Sequence, residues 1–238
     1  MVPLKPLRIY FSGDSPAVRF AKQYAAGLGC QPVEAIEAAD AVLLPVPTPN
    51  YICQEIKHTG AVIYGGNLPQ MYGVKQRDLL QDEYYLGKNA AITAHCALSL
   101  ATEKLLCILP EAPVLILGWG RIAQCLAHLC KGLGGDVTIY ARKETDRAMA
   151  EALGMKAVTA SLQQGKLGHF RVLFNTIPAP VLTTDRCRDD CIKIDLASER
   201  GITGDNILWA RGLPGKMAPE SSGKLMVQSL LRLQEQEV

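Results

Sequence analysis

The stretch VLILGWGRIAQCLAHLCKGLGGDVTIYARK, residues 114–143, holds Gly118, Gly120 and Ala123 in the spacing G-x-G-x-x-A, between a short apolar run and a segment of helical character. Those residue types at that spacing suit a pyrophosphate. Gly118 makes the tight turn, Gly120 lets backbone N–H groups approach the phosphates, and Ala123 keeps the following helix close to the sheet. Trp119, Arg121 and Ile122 fill the turn and the first helical positions, where unpaired N–H groups and the helix dipole favour an anion. A second apolar run then ends on Tyr140-Ala141-Arg142-Lys143. An NAD site places an acid about twenty residues after the glycines to hold the ribose 2′-hydroxyl. Two cations there suit a 2′-phosphate, so NADP is the expected cofactor and Arg142 and Lys143 its clamp. The opposing reading is a solvated helix start in which Glu144 neutralises the pair.

Positioning such groups takes several strands that end on one rim. Residues 114–118 and 136–141 read as strands, 121–133 and 144–153 as helices. A short strand near Ala157, a helix near Leu162 and strands at 171–176 and 191–196 follow. This alternation predicts a doubly wound parallel sheet. FNTIPAP ends one strand and brings Asn175, Thr176 and Pro178 to the rim, and IKIDLAS ends the next with Asp195 and Ser198. A Gly/Pro-rich loop, RGLPGKMAPESSGK, leads into the last helix.

The first half repeats the theme. LRIYFSG reads as a strand, and SPAVRFAKQYAAGLG as a helix capped by Ser15, with Pro16 at its first position and Gly27 or Gly29 closing it. AVLLPVPTPN and GAVIYGG read as buried strands. From Asp78 to Leu109 the chain is helical in composition, with Ala90, Ala94, Ala97 and Ala101 at helical spacing. Pro110-Glu111-Ala112-Pro113 breaks it. The domains expected are 1–109, with the connecting helix, and 110–220 for the dinucleotide. The tail, 221–238, is an amphipathic helix packing back towards the first.

Composition narrows the partners. The 25 Lys and Arg are scattered among 23 Asp and Glu, net charge +2, without the basic stripe of a nucleic-acid binder. No apolar run approaches the ~20 residues of a membrane span, and the start of the chain lacks a secretory signal, so a cytoplasmic protein is expected. The eight cysteines form no CxxC pair and read mostly as small buried residues. The four histidines have no metal-ligand spacing, so no metal is expected. No Ser/His/Asp or Cys/His nucleophile arrangement stands out, which disfavours hydrolysis.

GWGRIA, NTIPAPVL, IDLAS and GLPGKMAPESSGKLM, in this order, resemble the A-subunit family of bacterial dipicolinate synthase, most strongly over 89–231. The resemblance implies a two-domain α/β protein of 2-hydroxyacid-dehydrogenase-like architecture. Its parts would be a C-terminal Rossmann sheet, a smaller flavodoxin-like N-terminal domain, and NADP between the domains. It implies NADP-dependent oxidation of dihydrodipicolinate to dipicolinate in sporulating bacteria, partnership with a flavoprotein-like B subunit, and a homo-oligomer. Carried onto this chain, Gly118, Gly120 and Ala123 bind pyrophosphate, Arg142 the 2′-phosphate, and Asn175, Thr176 and Pro178 the nicotinamide half. Two departures bear on the substrate pocket. The interval before AVLLPVPT leaves little room for an extra strand, which implies a shortened first domain, and Glu199-Arg200-Gly201 stands where a lysine or proline and a glycine pair are expected.

A dicarboxylate substrate needs donors, and Thr93, Ser198, Arg200, Arg211, Lys216 and Ser222 are the candidates, a bidentate arginine being the strongest. His95, two residues after Thr93, is the candidate for proton transfer, the alternative being a histidine packed on the helix surface. Two other functions fit the same residues. One is an NADP-binding protein without chemistry that docks or regulates a partner, and the other a dehydrogenase for another small carboxylic acid.

Overall fold

Short buried strands of Val, Ile and Leu form the centres of two parallel sheets edged by more exposed strands, in a computed structural model that describes residues 5–56, 60–159 and 167–236. The helix expected near Leu162 lies outside the described residues. The chain divides into two units, Met1–Ile92 with Pro214–Val238, and Thr93–Leu213.

In the first unit, β1 (Arg8–Phe11), β2 (Gln31–Val33), β3 (Ala41–Leu43), β4 (Val62–Gly65) and β5 (Gln76–Asp78) pair in the order β2-β1-β3-β4-β5, every pair parallel. This is the flavodoxin-like order, as expected. The interval read as too short for an extra strand holds β2, so the sheet has five strands. With the sequence Gln-Pro-Val and a position at the sheet edge, β2 carries no hydrophobic signal to announce it. Between β1 and β2, α1 (Pro16–Gly27) begins where Ser15 accepts from the N–H of Val18, with Pro16 in the first turn. A short α2 (Asn50–Glu55) lies between β3 and β4. The C-terminal α7 (Pro219–Glu235) supplies Leu225, Met226, Val227 and Leu230 to the same core as Ile9, Leu43 and Tyr64. The tail therefore packs on the first unit. Gly223 makes that contact close, since a Cβ there would lie 2.4 Å from the carbonyl oxygen of Ala17 in α1.

The division between units falls inside α3 (Glu83–Lys104), after Ile92, and the first unit resumes at Pro214. The boundaries expected near 110 and 220 are thus displaced. The proline pair at 110 and 113 does not end α3, which stops at Lys104, and makes no linker: Pro110 sits in a short 3-10 turn, Leu109–Glu111, Leu109 and Ala112 are buried, and Pro110 packs against Gly134.

In the second unit, β6 (Val114–Leu117), β7 (Val137–Tyr140), β8 (Lys156–Val158), β9 (Val172–Asn175), β11 (Ile192–Asp195) and β13 (Ile207–Trp209) pair in the order β13-β11-β9-β6-β7-β8. All pairs are parallel. Numbered within the unit this is 3-2-1-4-5-6 read from β8, the Rossmann order. The connection order reverses between β6 and β9, which makes the crevice beyond their C-terminal ends the expected ligand position. A short parallel pair, β10 (Leu182–Thr183) with β12 (Ile202–Thr203), joins the loops that flank β11. Between the main strands lie α4 (Arg121–Gly132) and α5 (Glu144–Ala152), and α6 (Leu213–Met217) follows β13.

Candidate functional site

Because the second sheet is wholly parallel, β6, β7, β9, β11 and β13 end on one rim, and the predicted residues at those ends meet there. Gly118 leaves β6 at φ +106°, and a Cβ at this position would fall 2.4 Å from the hydroxyl of Thr176. Glycine is required twice over, by conformation and by space. Thr176, at the end of β9, donates from both its N–H and its hydroxyl to the carbonyl of Leu117, at 3.0 and 2.8 Å, and closes the two strands at the reversal point.

Gly120 caps α4, no side chain occupies the cap, and a Cβ built on it would meet nothing within 4 Å. The first turn of a twelve-residue helix therefore faces open space, as a pyrophosphate needs. Ala123 is fully buried in the packing of α4. Gln124 donates to the carbonyl of Trp119 at 2.9 Å and fixes the turn. The ring of Trp119 borders a cavity of about 550 Å³ with Gln124, His128 and Met149, on the α4–α5 side.

Arg142 and Lys143 follow β7, beside β6, and both are exposed. Their side chains make no hydrogen bond or ion pair with any described residue, and Glu144 does not pair with them. What anchors this corner is Arg147, whose guanidinium donates to the carbonyls of Ala141 and Arg142 at 3.0 and 2.8 Å. The pair is thus held at the backbone and left available at the side chains.

Asn175 and Asp195, expected to touch the cofactor, are spent within the protein. Asn175 donates to Asp195 at 2.8 Å and to the carbonyl of Ile177 at 3.0 Å, and accepts from the N–H of Ile177. Asp195, with no exposed surface, accepts further from the N–H groups of Ala197, Gly201 and Ile202. A buried carboxylate is tolerable only with this many donors. Both residues shape the loops of the rim, and Pro178 stands exposed at the tip of one of them.

Sequence reasoning missed the role of Gly201. A Cβ there would lie 2.3 Å from the carbonyl of Ile177 and 2.5 Å from Asn175, so the departure Glu199-Arg200-Gly201 still keeps the one glycine that this packing needs. Trp209 was missed as well. Its N–H donates to the carbonyl of Ala197 at 3.1 Å, and the guanidinium groups of Arg200 and Arg211 lie 5.0 and 5.5 Å from its ring centroid. Arg211 also donates to the carbonyl of Ser198. Neither arginine pairs with a described carboxylate, so Ser198, Arg200, Trp209 and Arg211 form a cationic patch at the ends of β11 and β13.

The remaining candidates fall in both units. His95 is exposed on α3, its backbone carbonyl accepting from Ser99, and Thr93 is buried on the same helix. Lys216 and Ser222 belong to the first unit, Lys216 exposed and Ser222 buried in the first turns of α7. Burial takes Ser222 out of reach of a ligand. Among the described residues no group of His, Cys, Asp and Glu could hold a metal ion, and no helix is long and apolar enough to cross a membrane.

A chain that carries a flavodoxin-like unit and a Rossmann unit with a glycine fingerprint at its reversal point has the fold class of the two-domain nicotinamide-dinucleotide dehydrogenases. No family model matches the chain. Within that class it is similar to the A subunit of dipicolinate synthase. It is 26% identical to that protein of Bacillus subtilis (strain 168) over 156 residues, 61% of this chain and 52% of the relative. The match thus spans about half the relative's length. The crystal structure of the dipicolinate synthase A subunit from Bacillus halodurans has TM-score 0.81 at 23% identity, over 96% of this chain and 97% of that one. A transhydrogenase from Sinorhizobium meliloti has TM-score 0.77 at 17% identity, over 97% and 94%. The resemblance read from the motifs is borne out by these matches.

Proposed function

We propose that this chain is an oxidoreductase of the dipicolinate synthase A type, oxidising a dihydropyridine dicarboxylate to the aromatic pyridine dicarboxylate with NADP as hydride acceptor and loss of one proton. The observation that carries the reading is the glycine turn at the reversal point of a Rossmann sheet, with two cations, unpaired among the described residues, where an NAD site has an acid. The backbone at Gly118, Trp119 and Gly120 and the start of α4, with Arg121 and Ile122, hold the pyrophosphate. Arg142 and Lys143 hold the 2′-phosphate by charge-assisted hydrogen bonds. Thr176 and Pro178 flank the nicotinamide half, on loops that Asn175, Asp195 and Gly201 keep in place. Arg200 and Arg211, set against Trp209, offer planar donors to the two carboxylates of the substrate. His95 is the proton acceptor in this proposal, and its partners are further copies of the chain together with a B subunit.

Titration of the purified protein with NADP and NAD, repeated with Arg142→Ala, tests the cofactor. Tighter binding of NADP than of NAD, weakened about 10- to 100-fold by the substitution, is expected for the loss of a charged hydrogen-bond pair of about 1.5–3 kcal/mol. Equal affinity for both dinucleotides would overturn the NADP assignment. Freshly generated dihydrodipicolinate should then yield reduced nicotinamide absorbance. NADP binding without it would favour the non-catalytic reading, and turnover only with another small carboxylic acid would reassign the substrate.

A further inference from the structure

Cys187 and Cys191 stand away from the rim, in the turns that lead into the start of β11. The N–H of Cys187 donates to the carbonyl of Thr184 at 3.0 Å and that of Cys191 to the carbonyl of Arg188 at 3.1 Å. These successive turns bring two thiols four residues apart to one side. Cys191 is 4% exposed within a cluster of Leu115, Leu173 and Phe170, and the half-buried Cys187 packs against the same cluster. The Cys191 thiol lies within hydrogen-bonding reach of Cys187 and also of the carbonyl of its neighbour Ile192, 3.9 Å from its sulfur. Lys193, almost wholly buried, donates from its ammonium to the carbonyl of Asp205 at 3.0 Å. Cys187 and Lys193 open onto a cavity of about 400 Å³ that Asp185, Asp189 and Asp205 also line.

We propose that Cys187 is a reactive thiolate and Cys191 its resolving partner, so that this turn closes into an internal disulfide when it meets a small-molecule disulfide such as glutathione disulfide. In the first step the Cys187 sulfur attacks one sulfur of glutathione disulfide, the S–S bond breaks and one glutathione leaves as thiolate. In the second, Cys191 gives its proton to solvent and attacks the Cys187 sulfur, and the second glutathione leaves. Two protein thiols are oxidised and one glutathione disulfide becomes two glutathiones. The environment suits these roles. The hydrogen bond from the Cys191 thiol holds Cys187 below the ordinary thiol range and Lys193 acts in the same direction, against the opposing effects of burial and of the Asp185 carboxylate. Cys191, as the donor and by burial, is pushed up, and this restraint ends once Cys187 is in the mixed disulfide. Burial alone pushes up Cys30, and it is the leading cause for Cys53, Cys96 and Cys130, the last to about 12. This inference is independent of the dehydrogenase reading.

The full chain is treated with glutathione disulfide near neutral pH, free thiols are alkylated, and peptides are mapped by mass spectrometry. The wild-type chain should give the Cys187–Cys191 disulfide without retained glutathione. Cys191→Ser should trap glutathione on Cys187, and Cys187→Ser should give neither product. A measurement on the unaltered chain stands beside the variants: brief alkylation of the native protein should label Cys187 about tenfold faster than any other cysteine. Labelling of Cys107 or Cys125 ahead of Cys187, or a wild-type Cys187 that keeps its glutathione while Cys191 is alkylated, would overturn the proposal.

Discussion

Asp195 has no exposed surface, yet four donors converge on it from three segments of the rim. Replacing it by alanine strands those donors in a buried place, at about 1–3 kcal/mol for each one left without water. The expected outcome for Asp195→Ala is a loss of about 3 kcal/mol or more in urea unfolding followed by tryptophan fluorescence, together with loss of NADP binding. A change below about 1 kcal/mol would mean that water replaces the carboxylate. At this scale the sequence is legible where backbone geometry dictates a residue type. Gly118 is such a case, since its conformation and the hydroxyl of Thr176 exclude a side chain. It is illegible where the partner lies far along the chain. Asn175 and Asp195 sit at strand ends in the manner of ligand-binding residues, and only the pairing of β9 with β11 turns them towards each other.

Elements announce themselves by periodicity, and those without it are hard to read. The apolar runs of β1, β3, β4, β6, β7 and β9 are visible as strands, whereas β2 and β13 are short edge strands whose sequences carry no clear alternation. The last helix is legible from its leucines, but its glycine looks like part of a loop motif. In the fold Gly223 serves helix packing: Gly223→Ala would press a methyl group against the backbone of Ala17 and Ala21. Overpacking of this kind costs about 1–3 kcal/mol, which urea unfolding followed by circular dichroism measures directly. Insensitivity would show that α7 shifts freely on α1. A second element-level prediction concerns the clasp between the start of β1 and the residue before β3. Arg8 donates to Asp40 from its guanidinium at 2.6 and 3.0 Å and from its N–H at 3.0 Å. The guanidinium holds the Asp40 carboxyl at about 2, below its ordinary 3.8. A carboxyl depressed in the folded state contributes stability above its unfolded value and loses that contribution as pH falls through the folded one. Stability should therefore fall between pH 4 and 2, and this part of the fall should vanish in Asp40→Asn. An identical acid limb in both proteins would assign the fall to other carboxyls.

For the whole molecule, the two units differ in what can report on them. Both tryptophans, Trp119 and Trp209, belong to the unit Thr93–Leu213, one in the glycine turn and one beneath the two arginines. Intrinsic tryptophan fluorescence thus follows the Rossmann unit, the one to which the dinucleotide is assigned. A ligand that binds only the folded state stabilises it by RT ln(1 + [L]/Kd), about 2.7 kcal/mol at a hundred times Kd. NADP at that excess should raise the urea midpoint of the fluorescence transition, and NAD at the same concentration should raise it less. Arg142→Ala should remove most of the difference between the two while leaving the unliganded midpoint in place, because the Arg142 side chain makes no bond within the described protein. This comparison separates affinity from folding, which a loss of activity alone does not. If the unliganded midpoint itself falls in Arg142→Ala, the side chain serves the fold and the clamp must be sought in Lys143. If neither dinucleotide moves the transition, the glycine turn closes a strand–helix corner and the rim serves another ligand.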